Sequence, residues 1–472
     1  MVLIAVVLLY FALLFAVSSW TGKRATNVTF FRAERRSPWY LVAFGMVGAS
    51  ISGVTFVSVP GMVERTQMTY LQTCMGFILG YVVVAFVLLP LYYRLNLTSI
   101  YGYLGQRLGK RSHKTGSSFF LLSKMTGAAV RFYVVCMILQ RFVFEPLGVP
   151  FVLTVAGLVV LIWLYTRRGG IKTLVWTDSL QTVCLFAVLI LIIYKVISDM
   201  QMTLADAVST VYDNELSRVF VWDDWVSTQN FWKQFVSGVF IVIVMTGLDQ
   251  DMMQKNLTCR DLRSAQKDMC TYGVAFLPAN LLFLTLGVLL ILWFQHQGIA
   301  VPAAGDELLS QYVSLSSLSS PLIPSLFVLG IVAASFSSAD SALTSLTTIY
   351  CVDIVNRPDD EQLRRRTHLA MCGVFVVFII VFNAVNSTSL IDAVYIIVGY
   401  TYGPLLGMFS FGMLTKREVA DRWVPLVAVA SPCVCYATDQ GMGVLTGYHF
   451  GYELLMLNGL LTFCGLWLSS KR

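Results

Sequence analysis

Apolar runs of about twenty residues, each long enough to cross a bilayer as one α-helix, recur along the whole of this sequence. Because lipid offers the backbone no hydrogen-bond partner, a chain with many such runs folds as a bundle of membrane helices. Of the 472 residues, 57% are hydrophobic and only 12% are charged, whereas about one quarter of a soluble domain is charged. The sequence therefore predicts an all-α membrane protein rather than a soluble globular domain.

Thirteen of these runs are predicted to be transmembrane helices of a single transporter-sized domain. The first has no Lys or Arg before Lys23, whereas a secretory signal carries its positive charge ahead of the apolar run, so we expect a retained helix. The predicted spans are 1–19, 38–63, 69–93, 117–140, 150–166, 173–198, 233–248, 271–295, 322–352, 367–384, 390–414, 423–438 and 450–469.

The placement of positive charge supports this number of spans. With the N-terminus outside, 26 of the 33 Lys and Arg residues fall in loops or a tail that would be cytoplasmic, and three fall in the opposite loops. Such alternation follows the positive-inside rule, and a missed or invented helix would disturb it. We therefore expect the N-terminus outside and the C-terminus in the cytoplasm. The net charge of +7 then reflects orientation rather than binding of nucleic acid.

Three ionisable side chains stand out inside the predicted spans. A charged residue at this depth costs at least ~2.5–3.5 kcal/mol on insertion scales, so each is a functional candidate. Asp178 and Asp340 fall in the cytoplasmic halves of their spans, and Arg131 falls nearer the middle of its own. A structural interpretation stays open for each: a salt bridge for Asp178, and pairing with an internal acid for Arg131.

The stretch FSSADSALTSLTT, residues 336–348, surrounds one of these acids with seven hydroxyl groups. Ser337, Ser341 and Thr344 share a helix face with Asp340, because they follow the i, i+3, i+4 spacing of an α-helix. Hydroxyl and carboxylate oxygens are hard ligands that suit a hard cation. The pattern predicts a cation site, although small polar residues also serve close packing of membrane helices.

The stretch GMVGASISGVTFVSVPGM, residues 45–62, is the second irregular place. It holds four glycines and Pro60 inside one predicted span, and glycine and serine weaken a helix. Secondary transporters use broken helices to present backbone carbonyls to a cation. The sequence predicts a broken helix here, with a kinked and closely packed helix as the alternative.

Six motifs in order, spread over nearly the whole chain, resemble those of the sodium/solute symporter family. The resemblance implies a ten-helix core of two inverted five-helix repeats with broken helices, here 38–199 and 200–418. Residues 1–37 would add one helix and a loop before it, and residues 419–472 two helices after it. The motifs are GASISG, LLPLYYRLNLTSIYGYLGQRLG, GGIKTLVWTDSLQT, TGLDQDMMQK, FSSADSALTS and GYTYGPLLGMFSFGMLTKR.

The same resemblance implies where sodium would bind. The family's general sodium site uses carbonyls of the first broken helix together with a carbonyl and hydroxyls of the eighth core helix. Carried over by motif, its ligands are Gly48, Ile51, Ala334, Ser337 and Ser338.

Some members, notably the sialic acid transporters, have a second sodium site closer to the cytoplasm. The matching positions here are Asp178, Ser337, Asp340 and Ser341. Asp340 departs from the serine expected in sialic acid transporters, and a second carboxylate would either tighten cation binding or hold a proton. The resemblance thus implies one or two coupling Na+ ions and leaves the occupant at Asp340 open.

For the solute, the resemblance implies a pocket beside the broken helix, formed by Ser50, Ser52, Thr55 and Gln72. In sialic acid transporters an arginine on the third core helix binds the carboxylate, and Arg131 matches it. A guanidinium forms bidentate, charge-assisted hydrogen bonds with a carboxylate. The resemblance favours a carboxylate-bearing solute such as sialic acid, with a neutral sugar, inositol or proline as alternatives.

These observations predict sodium-coupled uptake by alternating access in a bacterial plasma membrane, not an enzyme, with no obligate protein partner. An intramembrane aspartyl protease is the alternative from another class, but its Gly-x-Gly-Asp type of motif does not occur. A channel or a transporter-like sensor is the third, and no pore-loop signature supports it. Coupling of solute flux to sodium separates these classes.

Overall fold

The computed structural model describes residues 2–23, 25–225, 227–316, 322–385, 390–447, 450–451 and 453–471. This part of the chain is mostly helical, with one two-stranded antiparallel sheet in which Glu418–Val419 (β1) pairs with Ser470–Lys471 (β2). The α-helices of the described residues are α1 (Val2–Thr21), α2 (Asn27–Arg32), α3 (Trp39–Ser50), α4 (Gly53–Thr66), α5 (Tyr70–Val83), α6 (Leu89–Arg94), α7 (Gly102–Arg107), α8 (Lys110–Leu139), α9 (Phe151–Thr166), α10 (Ile171–Asp199), α11 (Leu204–Asp213), α12 (Phe231–Val242), α13 (Gln250–Asn256), α14 (Leu262–His296), α15 (Leu308–Ser316), α16 (Leu322–Ile349), α17 (Glu361–Val385), α18 (Leu390–Leu414), α19 (Val424–Thr446) and α20 (Leu454–Leu468).

The helices fit a multi-pass membrane protein. Among the described residues, six helices are long and apolar enough to cross a membrane, and up to eight if each of two bent pairs is one span. Every predicted span overlaps a helix or a helix pair of the structure. The bounds differ most at α14, which begins at Leu262 rather than at 271. The number of thirteen membrane crossings stays a prediction.

The second predicted span is broken, as the glycine-rich stretch indicated. α3 and α4 meet at an angle of 61°, and the two residues between them, Ile51 and Ser52, lie outside both helices. Small side chains allow close packing there: a Cβ added to Gly48 would lie 1.9 Å from Thr182 Oγ1 on α10. The prediction of a broken helix is confirmed at this position.

A second break occurs where the sequence predicted a cytoplasmic loop. A π-helical turn, Ile243–Gly247, extends α12, and α13 follows at an angle of 70°. All seven residues of α13 are buried, and residues 262–270 belong to α14. The prediction that 249–270 is a loop was therefore wrong for both its first and its last part. Charged residues of α13 can lie inside the bundle because Asp251 and Lys255 form ion pairs there.

α16 lies at the centre of the bundle. α10 and α8 pack along it, and α3 and α4 also contact it. From Phe327 to Ile349 its residues are buried with the sole exception of Leu329. The polar face predicted around Asp340 is therefore enclosed by protein rather than exposed to lipid.

Between α10 and α12 the chain forms an outer segment with a short helix, α11. Its first turn is closed by a capping box in which Thr203 and Asp206 hydrogen-bond each other's backbone. These hydrogen bonds from Thr203 hold the pKa of the exposed Asp206 carboxyl below its usual value. The segment also contacts α5, since Val221 N donates to Gln72 Oε1 at 3.1 Å.

Candidate functional site

The break between α3 and α4 frees backbone carbonyls inside the bundle. Regular helical hydrogen bonds stop at Ile51 N to Val47 O, 3.2 Å, and resume at Phe56 N to Ser52 O, 3.1 Å. In the described part of the chain no backbone N–H donates to the carbonyls of residues 48–51. Ser338 Oγ on α16 donates to one of them, Ala49 O, at 2.9 Å. The break thus presents oxygen ligands to the polar face of α16.

The predicted ligands of the general sodium site meet only in part. Gly48 and Ile51 lie at the break, and Ser338 faces it while also lying 3.4 Å from Ala334 O. Ser337 Oγ instead donates to Asp178 Oδ1 at 2.8 Å. Backbone carbonyls and one hydroxyl form a hard-oxygen set of the kind that a sodium ion needs.

Asp178 has a partner that the sequence analysis did not identify. Lys255 Nζ on α13 lies 2.7 Å from Asp178 Oδ2, in an ion pair whose angles fall outside those of a regular hydrogen bond. Both side chains are about 1% exposed. The structure therefore shows a salt bridge at Asp178, the structural alternative given above. Its partner Lys255 falls in the predicted loop 249–270.

Asp340 lies on the face of α16 that also carries Ser337, and its hydrogen-bond partner is a tyrosine rather than a lysine. Tyr165 Oη on α9 donates to its Oδ2 at 2.7 Å. Asp178 and Lys255 are both close enough to act on it electrostatically. Its Oδ1, together with Ser341 Oγ, is buried and has no hydrogen-bond partner among the described residues.

A cavity opens beside the first break. Three of the predicted solute ligands, Ser50, Ser52 and Thr55, line it, and so does Arg131. Gln72 does not: its side-chain amide donates to Gln229 O at 3.0 Å and to Thr69 O at 3.2 Å. The structure therefore assigns Gln72 to the outer segment and brings the other four residues together.

Arg131 is a positively charged side chain of this cavity that is available to bind a ligand. It is half-buried on α8 and forms no ion pair with any residue that the structure describes. The alternative of pairing with an internal acid is thus not observed. A guanidinium in such a place suits a carboxylate.

A second charged group in the cavity escaped the sequence analysis. Lys124, two turns before Arg131 on α8, lies 2.7 Å from Asp251 Oδ2 and 3.1 Å from Asp249 Oδ2. Tyr402 Oη on α18 donates to the same Asp249 oxygen at 2.6 Å. These contacts join α8, the start of α13 and α18 at one wall of the cavity.

A signal for these missed residues exists in the sequence. In DQDMMQK, Asp251 and Lys255 lie four residues apart and enclose two methionines, the spacing of one helix face. A solvent-exposed loop would not need two methionines between these charges. Lys255 was assigned to the loop 249–270, and Lys124 was not singled out although it lies inside the predicted apolar span 117–140.

This chain is similar in sequence to several sodium-coupled transporters. The sodium/sialic acid symporter NanT of Aliivibrio fischeri is 25% identical over 427 residues, covering 87% of this chain and 83% of the relative. SiaT of Proteus mirabilis, a sodium/sialic acid symporter, is 25% identical over 448 residues, 90% and 87% of the two chains. The sodium-dependent multivitamin transporter of Oryctolagus cuniculus is 27% identical over 81% of this chain, which spans 60% of that relative.

Solved structures share the fold at lower identity. A substrate-bound, outward-open Na+-coupled sialic acid symporter superposes with a TM-score of 0.82 at 20% identity, over 100% of this chain and 99% of that one. Mhp1, a nucleobase-cation-symport-1 family transporter in a closed conformation, superposes with a TM-score of 0.61 at 15% identity, over 94% and 93%. The sodium:solute symporter family model matches residues 30–421, and this chain therefore belongs to the sodium:solute symporter family.

Proposed function

We propose that this protein carries out sodium-coupled uptake of a small carboxylate-bearing solute by alternating access, with sialic acid as the first candidate. The observation that carries the proposal is Arg131, a half-buried guanidinium that lines the cavity without an internal ion pair. Two relatives with similar chains are named as sialic acid symporters. A neutral solute would leave this guanidinium without an anionic partner.

Sodium is proposed to bind at the break between α3 and α4. The carbonyls of residues 48–51, which accept no backbone hydrogen bond among the described residues, and the hydroxyl of Ser338 supply the oxygen ligands that support this assignment. An ion held there would fix the broken helix against α16. Because Ser50 and Ser52 lie in the same break and line the cavity, sodium binding would also order the solute pocket.

We further propose thirteen membrane helices, with residues 38–199 and 200–418 as inverted repeats and the N-terminus outside. The two bent pairs support this arrangement, because the first falls in the second predicted span and the other begins in the seventh, five spans apart. Residues 1–37 precede this core and 419–472 follow it. A bacterial inner membrane is the proposed location.

The energetics set the number of ions that such uptake needs. One sodium crossing ~100 mV with a tenfold gradient supplies ~2.3 plus ~1.4 kcal/mol. A monoanion moving with one sodium carries no net charge, so only ~1.4 kcal/mol remains, or about tenfold accumulation. A second sodium raises the driving free energy to ~5.1 kcal/mol, or several thousandfold.

The test is thermal unfolding of the purified protein with a solute panel, each measured in sodium and in potassium. The panel holds sialic acid, galactose, glucose, inositol, proline and pantothenate. A ligand at 100 times its dissociation constant stabilises by ~2.7 kcal/mol. We expect a rise in melting temperature with sialic acid in sodium only.

Two variants test the proposed role of the arginine. Arg131→Met should abolish the shift with sialic acid, whereas Arg141→Met should keep it, because Arg141 is exposed beyond the end of α8. A rise in melting temperature with a neutral sugar instead would still support a symporter, but it would contradict the role of Arg131 in binding a carboxylate. Equal shifts in sodium and potassium would contradict sodium coupling itself.

A further inference from the structure

The outer segment contains one helix, α11, that has no part in the proposed solute and sodium sites. Its 10 residues extend over about 15 Å at 1.5 Å per residue, which is half the thickness of the hydrocarbon core of a bilayer. α11 is therefore too short to cross the membrane. It either stands in water or lies along the membrane surface.

Protein covers only part of the apolar face of α11. Ala207 and Val211 are buried, and the helix contacts α14. Leu204, Val208 and Tyr212 continue the same apolar face at i, i+4 and i+8, and they are 71%, 63% and 84% exposed. Single exposed apolar side chains are ordinary, but three in a row on one short helix indicate a contact with an apolar partner.

The opposite side of α11 is polar and carries no positive charge. Asp206, Ser209 and Asp213 are exposed there, three and four residues apart. The 10 residues of the helix include no Lys or Arg, so the headgroups of anionic lipids would not attract it. An attachment to the membrane would therefore depend on the apolar side chains alone.

The connection from α10 places the start of α11 at the membrane surface. α10 is long and apolar enough to cross a membrane, and its exposed Ile190 and Tyr194 lie one turn apart on a lipid-facing side. Just after α10, Met202 N donates to Ile197 O at 3.2 Å. Leu204 follows two residues later, a reach of at most about 7 Å. The exposed face of α11 thus begins where the lipid-facing surface of α10 ends.

Aromatic side chains mark the same membrane surface at the other end of the outer segment. Trp232 lies in the first turn of α12, which forms a candidate span together with α13, and it is half-exposed. Trp222 is also half-exposed, and its ring packs on Phe231 with the centroids 4.0 Å apart. Tryptophan and tyrosine are enriched where lipid headgroups meet hydrocarbon, and Tyr212 of α11 fits that pattern.

We propose that α11 is an interfacial helix, which buries Leu204, Val208 and Tyr212 in the lipid leaflet at the end of α10 and turns Asp206 and Asp213 toward water. Its partner is the uncharged boundary between headgroups and acyl chains, where such helices reach a depth of about 5–10 Å. This inference goes beyond sodium-coupled uptake and does not depend on it.

An anchored α11 would hold the corner between α4 and α5. Gln67 Nε2 donates to Glu215 O at 3.1 Å, and Met68 N donates to Arg218 O at 3.1 Å. Both acceptors follow α11 within a few residues. The corner leads into α5, which lines the solute cavity, so the lipid contact would steady one wall of that cavity.

The experiment measures the depth of labelled α11 side chains in the full-length chain, reconstituted into phosphatidylcholine vesicles. Val208→Cys on the apolar side and Ser209→Cys on the polar side each carry a nitroxide, in a background in which the exposed Cys433 and Cys464 are replaced by Ser. Collisions of the nitroxide with oxygen, which concentrates in lipid, are compared with collisions with a water-soluble nickel chelate. We expect the oxygen-to-nickel ratio to be several times higher for Val208→Cys.

A second pair one turn later repeats the comparison if either variant does not fold. Tyr212→Cys should behave like Val208→Cys, and Asp213→Cys like Ser209→Cys. The background chain without a new cysteine measures any label on the other native cysteines. Replacing part of the phosphatidylcholine by phosphatidylglycerol should leave every ratio unchanged, because the helix has no cation to attract it.

Three results would overturn the inference. Equal collision of the nickel chelate with the two sides of α11 would place the helix in water. Protection of Val208→Cys that comes with spin–spin broadening, and fades as the chain is diluted with lipid, would show that a second copy covers this face. Protection that requires phosphatidylglycerol would contradict an uncharged contact.

Discussion

The two broken helices of this protein bend by similar angles but are stabilised by different interactions. The break between α3 and α4 is made of small and hydroxyl-bearing residues, and free carbonyls there face Ser338. The break before α13 carries charges, with Asp249 and Asp251 on Lys124 and then Lys255 on Asp178. The bends are nearly equal, 61° and 70°. A similar shape is therefore supported by close packing in one case and by ion pairs in the other.

The two breaks should therefore be destabilised by different substitutions. An uncharged break depends on the space between helices, because any added atom meets a neighbouring side chain. A charged break depends on electroneutrality, because removing one partner leaves the other buried without a counter-ion. Charge removal should then damage the second break, and added volume the first.

The largest effect is expected at Lys255, which is 1% exposed and paired with the equally buried Asp178. Lys255→Met leaves that carboxylate with only the hydroxyl of Ser337, and breaking one side of a buried pair costs about 3–5 kcal/mol. Thermal unfolding in detergent measures this loss.

Two controls belong to this measurement. Lys172→Met, on the same helix as Asp178, breaks a half-exposed pair with Glu34 at 3.6 Å and should cost less than about 1 kcal/mol. Adding Asp178→Asn to Lys255→Met should restore most of the stability. If the single variant unfolds no more easily than Lys172→Met, electroneutrality does not support the second break.

The next effect is expected at Lys124, which holds two aspartates in the cavity wall. Lys124→Met leaves Asp249 and Asp251 without their counter-ion. Because the cavity lets water reach them, we expect a smaller loss in the free energy of unfolding, about 2 kcal/mol. Lys195→Met, which breaks the half-exposed pair with Asp199 on α10, is the matched control and should change stability by less than about 0.5 kcal/mol. Equal losses in the two variants would contradict a charge-supported wall.

The first break is tested by volume. In Gly48→Ala the new Cβ would lie 1.9 Å from Thr182 Oγ1, and overpacking of this kind costs about 1–3 kcal/mol. Thr182→Ala removes the clashing hydroxyl and should recover part of the loss. Gly157→Ala on α9 has nothing within 4 Å of its added Cβ and should be neutral or slightly stabilising. A Gly48→Ala protein as stable as Gly157→Ala would show that close packing is not what the break requires.

The same contrast explains which parts could be predicted from sequence. The membrane class, the helical spans and the first break follow from local signals, namely apolar length and glycine content, which need no knowledge of the neighbours. Arg131 was found because it is unusual within its own span, whereas Ser338 was carried over by motif from the family resemblance. Local patterns therefore identify a polar residue where the surrounding sequence is apolar.

For Lys255 and Lys124 the local pattern shows a charge on a helix face or in an apolar span, but it does not show the ion-pair partner. Each is tolerated only because a partner from a distant part of the chain lies within 2.7 Å, and a sequence pattern carries no information on that distance. The position of Gln72 outside the solute cavity could not be predicted for the same reason, since its amide is hydrogen-bonded to Val221 and Gln229 of the outer segment. Ion pairs and hydrogen bonds of high sequence separation decide these positions.

The smallest effect is expected at Tyr402, whose hydroxyl donates to Asp249 Oδ2 at 2.6 Å. Tyr402→Phe removes one donor, but Lys124 stays at 3.1 Å from the same oxygen, so the carboxylate keeps its counter-ion. Hydrogen bonds between membrane helices average ≈ 0.6 kcal/mol, and we expect a loss of about that size in thermal unfolding. Tyr133→Phe on α8 is the control, because its hydroxyl has no hydrogen bond to another described residue. A loss as large as that of Lys124→Met would mean that the hydroxyl, and not the ammonium, holds Asp249, and the second break would then resemble the first.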